Sequence, residues 1–148
     1  MEASPQRVPT RVPAIAVAGL VAAGAVLRFA WLGRNSLWYD ETFTALVSSL
    51  AWPKLLAFIR LTDTHPPLYY AVVKLWTAVA GTSEAALRFP SACFGAAVVG
   101  ATYALARRVT TVPVSLLAAL FVALAPIDVM TSQDARMYAL LELLAVGS

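Results

Sequence analysis

Hydrophobic residues occur in this chain as long continuous blocks, not at the spacing of amphipathic helices or alternating strands. Residues 12–32 are apolar except for Arg28, and residues 89–106 and 109–127 contain no charged side chain. A helix of about twenty apolar residues is long enough to cross a hydrocarbon core about 30 Å thick. The pattern therefore predicts a membrane-spanning helix over each of these three blocks.

The two ends of the chain allow further predictions. The polar, proline-containing segment before the first block would also suit a signal peptide cleaved near Ala23 or Ala25. Its apolar run is longer than a usual signal core and more spans follow, so an uncleaved anchor is favoured. At the other end, a last helix is predicted to begin at about Ser132 and has only just become apolar where the sequence ends at Ser148.

Between residues 33 and 81 the pattern becomes amphipathic. Apolar residues recur at i, i+3, i+4 and i+7 over residues 43–50, and the pattern resumes over residues 55–59. Pro53 separates the two stretches, because it lacks an N–H and disfavours helical geometry at the residue before it. We predict two short helices that lie along the membrane surface in an outer loop.

Residues 66–81 form an ambiguous element. They are few for a membrane span, and Lys74 near their middle would cost about 2.5–3.5 kcal/mol at a bilayer centre. Gly81 suits the end of a helix and Ser83 the start of the next, and Pro90 is expected in the first turn of the following span. We predict that this element is interfacial or re-entrant.

The distribution of basic residues predicts the topology. The positive-inside rule places residues 1–11 and the turn at Arg107 and Arg108 in the cytoplasm. The outer loop and the start of the last helix then face outside. Asp40 and Asp134 are therefore expected on the same side of the membrane.

Composition agrees with this class. Of 148 residues, 60% are hydrophobic and 13% charged, and helices that are apolar all round need protein or lipid around them. The net charge of +3 comes from scattered basic residues, which does not indicate nucleic-acid binding, and Cys93 is the single cysteine. We predict an all-α integral membrane protein: a multi-pass helical bundle with amphipathic interfacial helices, in which residues 12–148 follow a cytoplasmic tail, residues 1–11.

Three groups of polar and aromatic residues lie at the proposed outer surface. They are Trp38-Tyr39-Asp40-Glu41, then Thr64-His65-Pro66-Pro67-Leu68-Tyr69-Tyr70, then Ser132 through Tyr138. Each has a purely structural explanation: Asp40 as a helix cap, His65 within a rigid proline turn, Asp134 as an acid in a first helical turn. Together they indicate a functional site, because such side chains beside a bilayer are costly unless solvated or paired.

These motifs resemble those of a known family. The residues that carry the resemblance are Leu37-Trp38-Tyr39-Asp40-Glu41, His65-Pro66-Pro67-Leu68-Tyr69-Tyr70, Leu87-Arg88-Phe89-Pro90-Ser91 and Ser132-Gln133-Asp134-Ala135-Arg136-Met137-Tyr138-Ala139-Leu140. In this order they are similar to the start of bacterial members of the protein O-mannosyltransferase superfamily. These are membrane-embedded C-type glycosyltransferases that use polyprenyl-phosphate sugars, so the resemblance implies part of that fold.

The resemblance also implies roles for individual residues. An acidic residue in the family's first outer loop lies at the active site, so Asp40 is the expected general base or acceptor-positioning carboxylate, with Glu41 supporting it. His65 and Arg136 are expected to stabilise the negative charge on the departing lipid phosphate. Asp134 matches a second acidic position and would bind the acceptor or orient Arg136.

Three further residues complete the expected substrate site: Tyr69, Gln133 and Tyr138. The tyrosines would stack on a sugar or line the lipid groove, although aromatics at a membrane interface need no such function. The sequence has no Gly-rich phosphate loop, Cys/His metal cluster or Ser/His/Asp arrangement, so it supports neither soluble nucleotide sugars nor zinc hydrolysis, and we expect no required cofactor. The expected partners are a polyprenyl-phosphate sugar donor, the lipid bilayer, and a glycan, lipid or protein acceptor at the outer face of the cell membrane.

Other functions fit the same features. The chain would also suit a non-catalytic membrane scaffold or truncated remnant, or a transporter segment, since acids and broken helices in membranes also serve ion coupling. Because the last helix supplies fewer residues than a span needs, we expect these 148 residues alone to insert into membranes without catalysing transfer.

Overall fold

The structure is a computed structural model that describes residues 11–62 and 66–148. Within these ranges it contains helices and no strand, which confirms the predicted all-α class. The helices are α1 (Arg11–Phe29), α2 (Tyr39–Ser49), α3 (Trp52–Thr62), α4 (Pro67–Ala80), α5 (Glu84–Val109), α6 (Val112–Leu124), α7 (Pro126–Ser132) and α8 (Tyr138–Gly147). Residues 1–10 of the predicted tail lie outside the described ranges.

Helix α5 is the centre of the packing, with α1, α6 and α8 against it. Among the described residues it is also the one helix that is by itself long and apolar enough to cross a membrane. It begins at Glu84, earlier than the predicted span of residues 89–106. The earlier start follows from Ser83, whose hydroxyl accepts a hydrogen bond from the Ala86 N–H at 3.3 Å, as an N-cap does.

Pro90 lies inside α5 and not in its first turn, so that prediction is wrong. A proline inside a helix leaves the carbonyl four residues earlier without its usual N–H donor. Here that carbonyl belongs to Ala86, and the Trp76 indole N–H on α4 donates to it at 2.9 Å. Trp76 also stacks on Phe89, with ring centroids 4.7 Å apart. The proline is therefore tolerated because a neighbouring helix replaces the missing donor.

The predicted third span, residues 109–127, is divided by a bend. Helices α6 and α7 meet at 57°, and they count as a second possible span only if the bent pair is one crossing. Pro126 causes the break, because it cannot donate to the Val122 carbonyl and disfavours helical geometry before it. Arg28 replaces the donor: its guanidinium hydrogen-bonds the carbonyls of Val122 at 3.0 Å and Ala123 at 3.2 Å.

Arg28 is fully buried, although it lies near the end of an apolar helix. Besides the α6 carbonyls it donates to the Ser132 hydroxyl at 3.2 Å and to the Gly24 carbonyl at 3.2 Å. Burying a charge is costly unless its hydrogen bonds are satisfied. Arg28 therefore ties α1 to the bend between α6 and α7. Beside it, Gly95 lets α5 approach Ser132 closely.

We expect Gly95→Ala to destabilise the protein. A Cβ at residue 95 would lie 2.6 Å from the Ser132 Cβ and 2.8 Å from the Arg28 Nε, both closer than real contacts allow. Overpacking of this kind costs roughly 1–3 kcal/mol. Thermal unfolding in detergent measures the loss. Gly19→Ala is the matched control, because nothing lies within 4 Å of a Cβ there; equal unfolding temperatures for the two variants would contradict the prediction.

The segment between α1 and α4 contains the two predicted short helices, α2 and α3. Their position along a membrane surface stays a prediction. Lys74 on α4 donates to the carbonyls of Ser48 at 3.3 Å and Leu50 at 2.6 Å, and its ammonium lies 5.5 Å from the Trp52 ring centroid. This lysine therefore satisfies the end of α2, and α4 ends at Gly81 as predicted.

Two predicted boundaries differ in the structure. The first helix ends at Phe29 rather than at residue 32, and Trp31 after it has a left-handed backbone with φ 58°. The last helix begins at Tyr138 rather than at about Ser132, because a non-helical turn occupies residues 133–137. In this turn the Ala135 N–H hydrogen-bonds a side chain, Glu41, and no helical carbonyl.

Candidate functional site

Glu41 and Arg88 form a buried ion pair at the centre of the predicted site. The Arg88 Nε donates to Glu41 Oε1 at 2.7 Å, and a terminal guanidinium N–H donates to Oε2 at 2.6 Å. The Ala135 N–H adds a bond to Oε1 at 2.8 Å, and the Trp38 N–H one to Oε2 at 3.3 Å. The Glu41 side chain is fully buried. This carboxylate therefore joins α2, α5 and the turn before α8.

The hydrogen bonds outweigh the cost of burial in the titration of Glu41. Burial alone raises the pKa of its carboxyl, but hydrogen bonds from Arg88, Ala135 and Trp38, together with the positive charge of Arg88, hold the pKa below its usual value. Glu41 is therefore ionised at neutral pH, with both oxygens occupied.

Arg88 also holds the segment that leads into α2. Its remaining N–H groups donate to the carbonyls of Leu32 at 2.9 Å, Asn35 at 2.8 Å and Ser36 at 3.2 Å. Arg88 stands within one of the motifs that carry the family resemblance, but no role was predicted for it. A signal was present, because an arginine at the edge of an apolar run needs a counter-ion and Glu41 needed one too.

Asp40 is not the cap of α2, so that structural alternative is wrong. The helix begins after Trp38, and Glu41, not Asp40, accepts the Trp38 N–H. Asp40 is half-buried. Across residues 11–62 and 66–148, its carboxylate forms no hydrogen bond or ion pair, whereas its backbone carbonyl accepts from Thr44 at 3.1 Å. Within the described residues the carboxylate is thus unpaired.

The structure brings Arg136 to Asp40. An Arg136 guanidinium N–H lies 3.5 Å from the Asp40 carbonyl oxygen. The Arg136 side chain is 5% exposed, and its Nε has no hydrogen-bond partner in the part of the chain that is described. Ser91 donates to the Arg136 carbonyl at 3.0 Å. The two segments predicted to share one face of the membrane are therefore in direct contact.

Tyr69 supports the backbone of this site through Ser91. Its hydroxyl lies 2.6 Å from the Ser91 hydroxyl, and its ring is buried. The ring also lines a small apolar cavity of about 220 Å³, together with Met137 and Leu140. Burial raises the pKa of the Tyr69 phenol. Of the two functions suggested for this tyrosine, its position fits an apolar groove better than an open sugar platform.

The other predicted residues lie in different surroundings. The Gln133 side-chain amide donates to the carbonyls of Leu27 at 3.0 Å and Ala30 at 3.1 Å, which closes the end of α1. Asp134 lines a polar cavity, where burial and then the negative charge of Glu41 raise the pKa of its carboxyl. Tyr138 is partly exposed at the start of α8. His65 lies outside the described residues.

No group of three His, Cys, Asp or Glu side chains that could hold a metal ion occurs within the described ranges. The charged residues at the site are instead three acids, Asp40, Glu41 and Asp134, and two arginines, Arg88 and Arg136. Such a set can take a proton and stabilise an anion.

Comparison with known proteins identifies the family. Residues 64–146 match the dolichyl-phosphate-mannose-protein mannosyltransferases, which confirms the resemblance carried by the motifs. No curated protein and no solved structure gives a significant match. Proteins of this family are glycosyltransferases of membranes. Since the match covers more than half of the 148 residues, the chain belongs to the dolichyl-phosphate-mannose-protein mannosyltransferase family.

Proposed function

We propose that this protein takes part in transferring a sugar from a polyprenyl-phosphate-linked donor to an acceptor at the outer face of a cell membrane. Family membership supports glycosyl transfer in general. The observation that carries the finer proposal is the contact between the Asp40 segment and Arg136. In this contact the buried Arg136 guanidinium, whose Nε has no partner among the described residues, lies 3.5 Å from the backbone carbonyl oxygen of Asp40, whose carboxylate is also unpaired there.

Asp40 acts as the general base. As an acceptor hydroxyl attacks the anomeric carbon of the sugar, its proton becomes acidic, and the Asp40 carboxylate takes it. The bond between the anomeric carbon and the phosphate oxygen breaks, and the electron pair stays on the lipid phosphate. Asp40 suits this task because no described side chain competes for its oxygens.

Arg136 stabilises the leaving phosphate. Arginine binds phosphate oxygens through paired, charge-assisted hydrogen bonds, and these are strongest where water is excluded, as at this buried side chain. Asp134 is two residues away, in the same turn. Glu41 is a positioning residue in this scheme, since Arg88 and two backbone N–H groups already occupy its oxygens.

We expect Arg136→Gln to weaken binding of a polyprenyl phosphate by roughly tenfold to a hundredfold, because a charged hydrogen bond contributes about 1.5–3 kcal/mol. Arg136→Lys should lie between, since it keeps the charge but loses the paired geometry. Equilibrium binding of the labelled lipid to the purified protein in nanodiscs measures both. The matched control is Arg60→Gln, an exposed arginine on α3. Equal affinities for the Arg136→Gln and Arg60→Gln variants would refute the role of Arg136.

A further inference from the structure

A second cavity opens beside the Glu41–Arg88 pair. The residues that line it differ from those that form the contact between Asp40 and Arg136. Its volume is about 380 Å³, within the range of roughly 300–1,000 Å³ typical of small-molecule sites. Two tryptophans and several polar side chains line it, among them Trp31, Asn35, Trp38, Arg88, Gln133 and Asp134. Neither Asp40 nor Arg136 is among its lining residues.

Trp31 has an unusual backbone at the rim of this cavity. Its φ of 58° is left-handed, a conformation that bulky residues rarely adopt. Its side chain is nevertheless 76% exposed, so packing within the described structure does not explain the choice of tryptophan. Strained residues of this kind concentrate at ligand sites. Trp38, which also lines this cavity, is 48% exposed.

The charges of the cavity favour an uncharged ligand. Arg88 is the cation in its lining, but Glu41 neutralises it through two hydrogen bonds, and its other donors are taken by backbone carbonyls. A phosphate would therefore gain little here. The Asn35 side chain lines the cavity, and the Asp134 carboxyl, which accepts one hydrogen bond from the Trp38 side chain, has further lone pairs for hydroxyl groups. The two tryptophans offer flat apolar faces. A saccharide has both hydroxyl groups and apolar ring faces.

The cavity adjoins the proposed transfer site along both segments that form it. Trp38 precedes Asp40 by two positions, and Asp134 precedes Arg136 by two. We propose that this cavity binds a saccharide, and that the acceptor of the transfer is accordingly a glycan. Its use as the acceptor site rests on the proposed function, whereas the binding itself does not.

The state of Asp134 supports this assignment. Burial and the nearby charge of Glu41 raise the pKa of its carboxyl. Hydrogen bonds donated by sugar hydroxyl groups would offset the burial of its oxygens.

The test measures whether methyl glycosides of mannose, glucose, galactose and arabinose bind to the full chain in nanodiscs. Saturation-transfer NMR detects the binding, and no sugar donor is present. At least one glycoside is expected to bind saturably. Trp31→Gly should weaken it on the order of tenfold, the effect of losing one aromatic platform. The unfolding temperature should not fall, because glycine adopts a left-handed backbone freely.

Two further variants separate binding from folding. Asn35→Ala removes a side chain that lines the cavity but keeps the backbone carbonyl that Arg88 needs, and it should also weaken glycoside binding. Trp52→Leu is the control, a partly exposed tryptophan outside the cavity, and it should bind as the original protein does. Saturable binding that is weaker in Trp31→Gly and Asn35→Ala but unchanged in Trp52→Leu would support the saccharide site.

Three results would overturn the inference: no saturable binding of any glycoside, equal binding by the original protein and Trp31→Gly, or displacement of the bound glycoside by a serine-containing peptide or by choline. Because the assay contains no donor, its outcome does not depend on transfer. Glycoside binding without sugar transfer would count against the proposed function alone, and transfer without glycoside binding would count against the cavity alone.

Discussion

Replacing Asp40 with asparagine is expected to lower sugar transfer by at least about 10²-fold, since general bases contribute roughly 10²–10⁴-fold. The amide keeps the size of the side chain but cannot take the proton of the acceptor hydroxyl. Folding should be unchanged, because the Asp40 carboxylate has no partner in the described structure and does not cap α2.

The measurement is donor-dependent transfer in a lipid-reconstituted preparation that is active, tested with several polyprenyl-phosphate sugars. Glu84→Gln is the control, an acid in the first turn of α5 that lies outside the site. If the Asp40→Asn variant were as active as the control, Asp40 would be an ordinary surface acid and not the general base. A loss of unfolding free energy with unchanged turnover would also exclude it as the base.

The second large effect is expected from the buried ion pair. Glu41→Gln leaves the Arg88 guanidinium buried without its counter-charge, and breaking a buried pair in this way costs about 3–5 kcal/mol. The loss should be larger than for an exposed pair because the Glu41 side chain is fully buried. Denaturant titration in detergent, followed by helical circular dichroism, measures the free energy of unfolding.

The pH dependence gives an independent test of the same pair. The pKa of Glu41 is lower in the folded protein than in the unfolded chain, so its contribution is complete above an unfolded pKa of about 4.3 and is lost as the pH falls through the folded pKa. The Glu41→Gln variant should therefore lose less unfolding free energy than the original protein as the pH falls. The Glu84→Gln variant should lose as much as the original protein does. Identical acid profiles for the two variants would show that the pair does not stabilise the fold.

Several local features could be predicted because the chemistry that determines them is local. Gly81 ends α4 and Ser83 caps α5, since a left-handed end and an N-cap hydroxyl depend on one or two neighbouring residues. The amphipathic spacing likewise predicted α2 and α3. The order of the motifs was enough to predict the family.

The differences at the two prolines, Pro90 and Pro126, have one physical origin. Local rules predicted the effect of each proline on its helix, but both effects depend on residues distant in the sequence. Trp76 replaces the hydrogen-bond donor that Pro90 lacks, and Arg28 replaces the one that Pro126 lacks. A helix can continue through one proline and bend at another, and the hydrophobic pattern does not distinguish these outcomes. The turn before α8 depends in the same way on Glu41.

The sequence by itself therefore determined the helical class, the two short helices α2 and α3 and the family, and it led to the prediction that Asp40 and Arg136 are reactive groups. Only the tertiary structure decided which acid is free. Glu41 and Asp40 are neighbours in the chain, yet the helix turns one towards Arg88 and leaves the other unpaired within the described residues. The reason is that a hydrogen-bond partner 47 positions away is chosen by the packing of helices, which no local pattern of residues specifies.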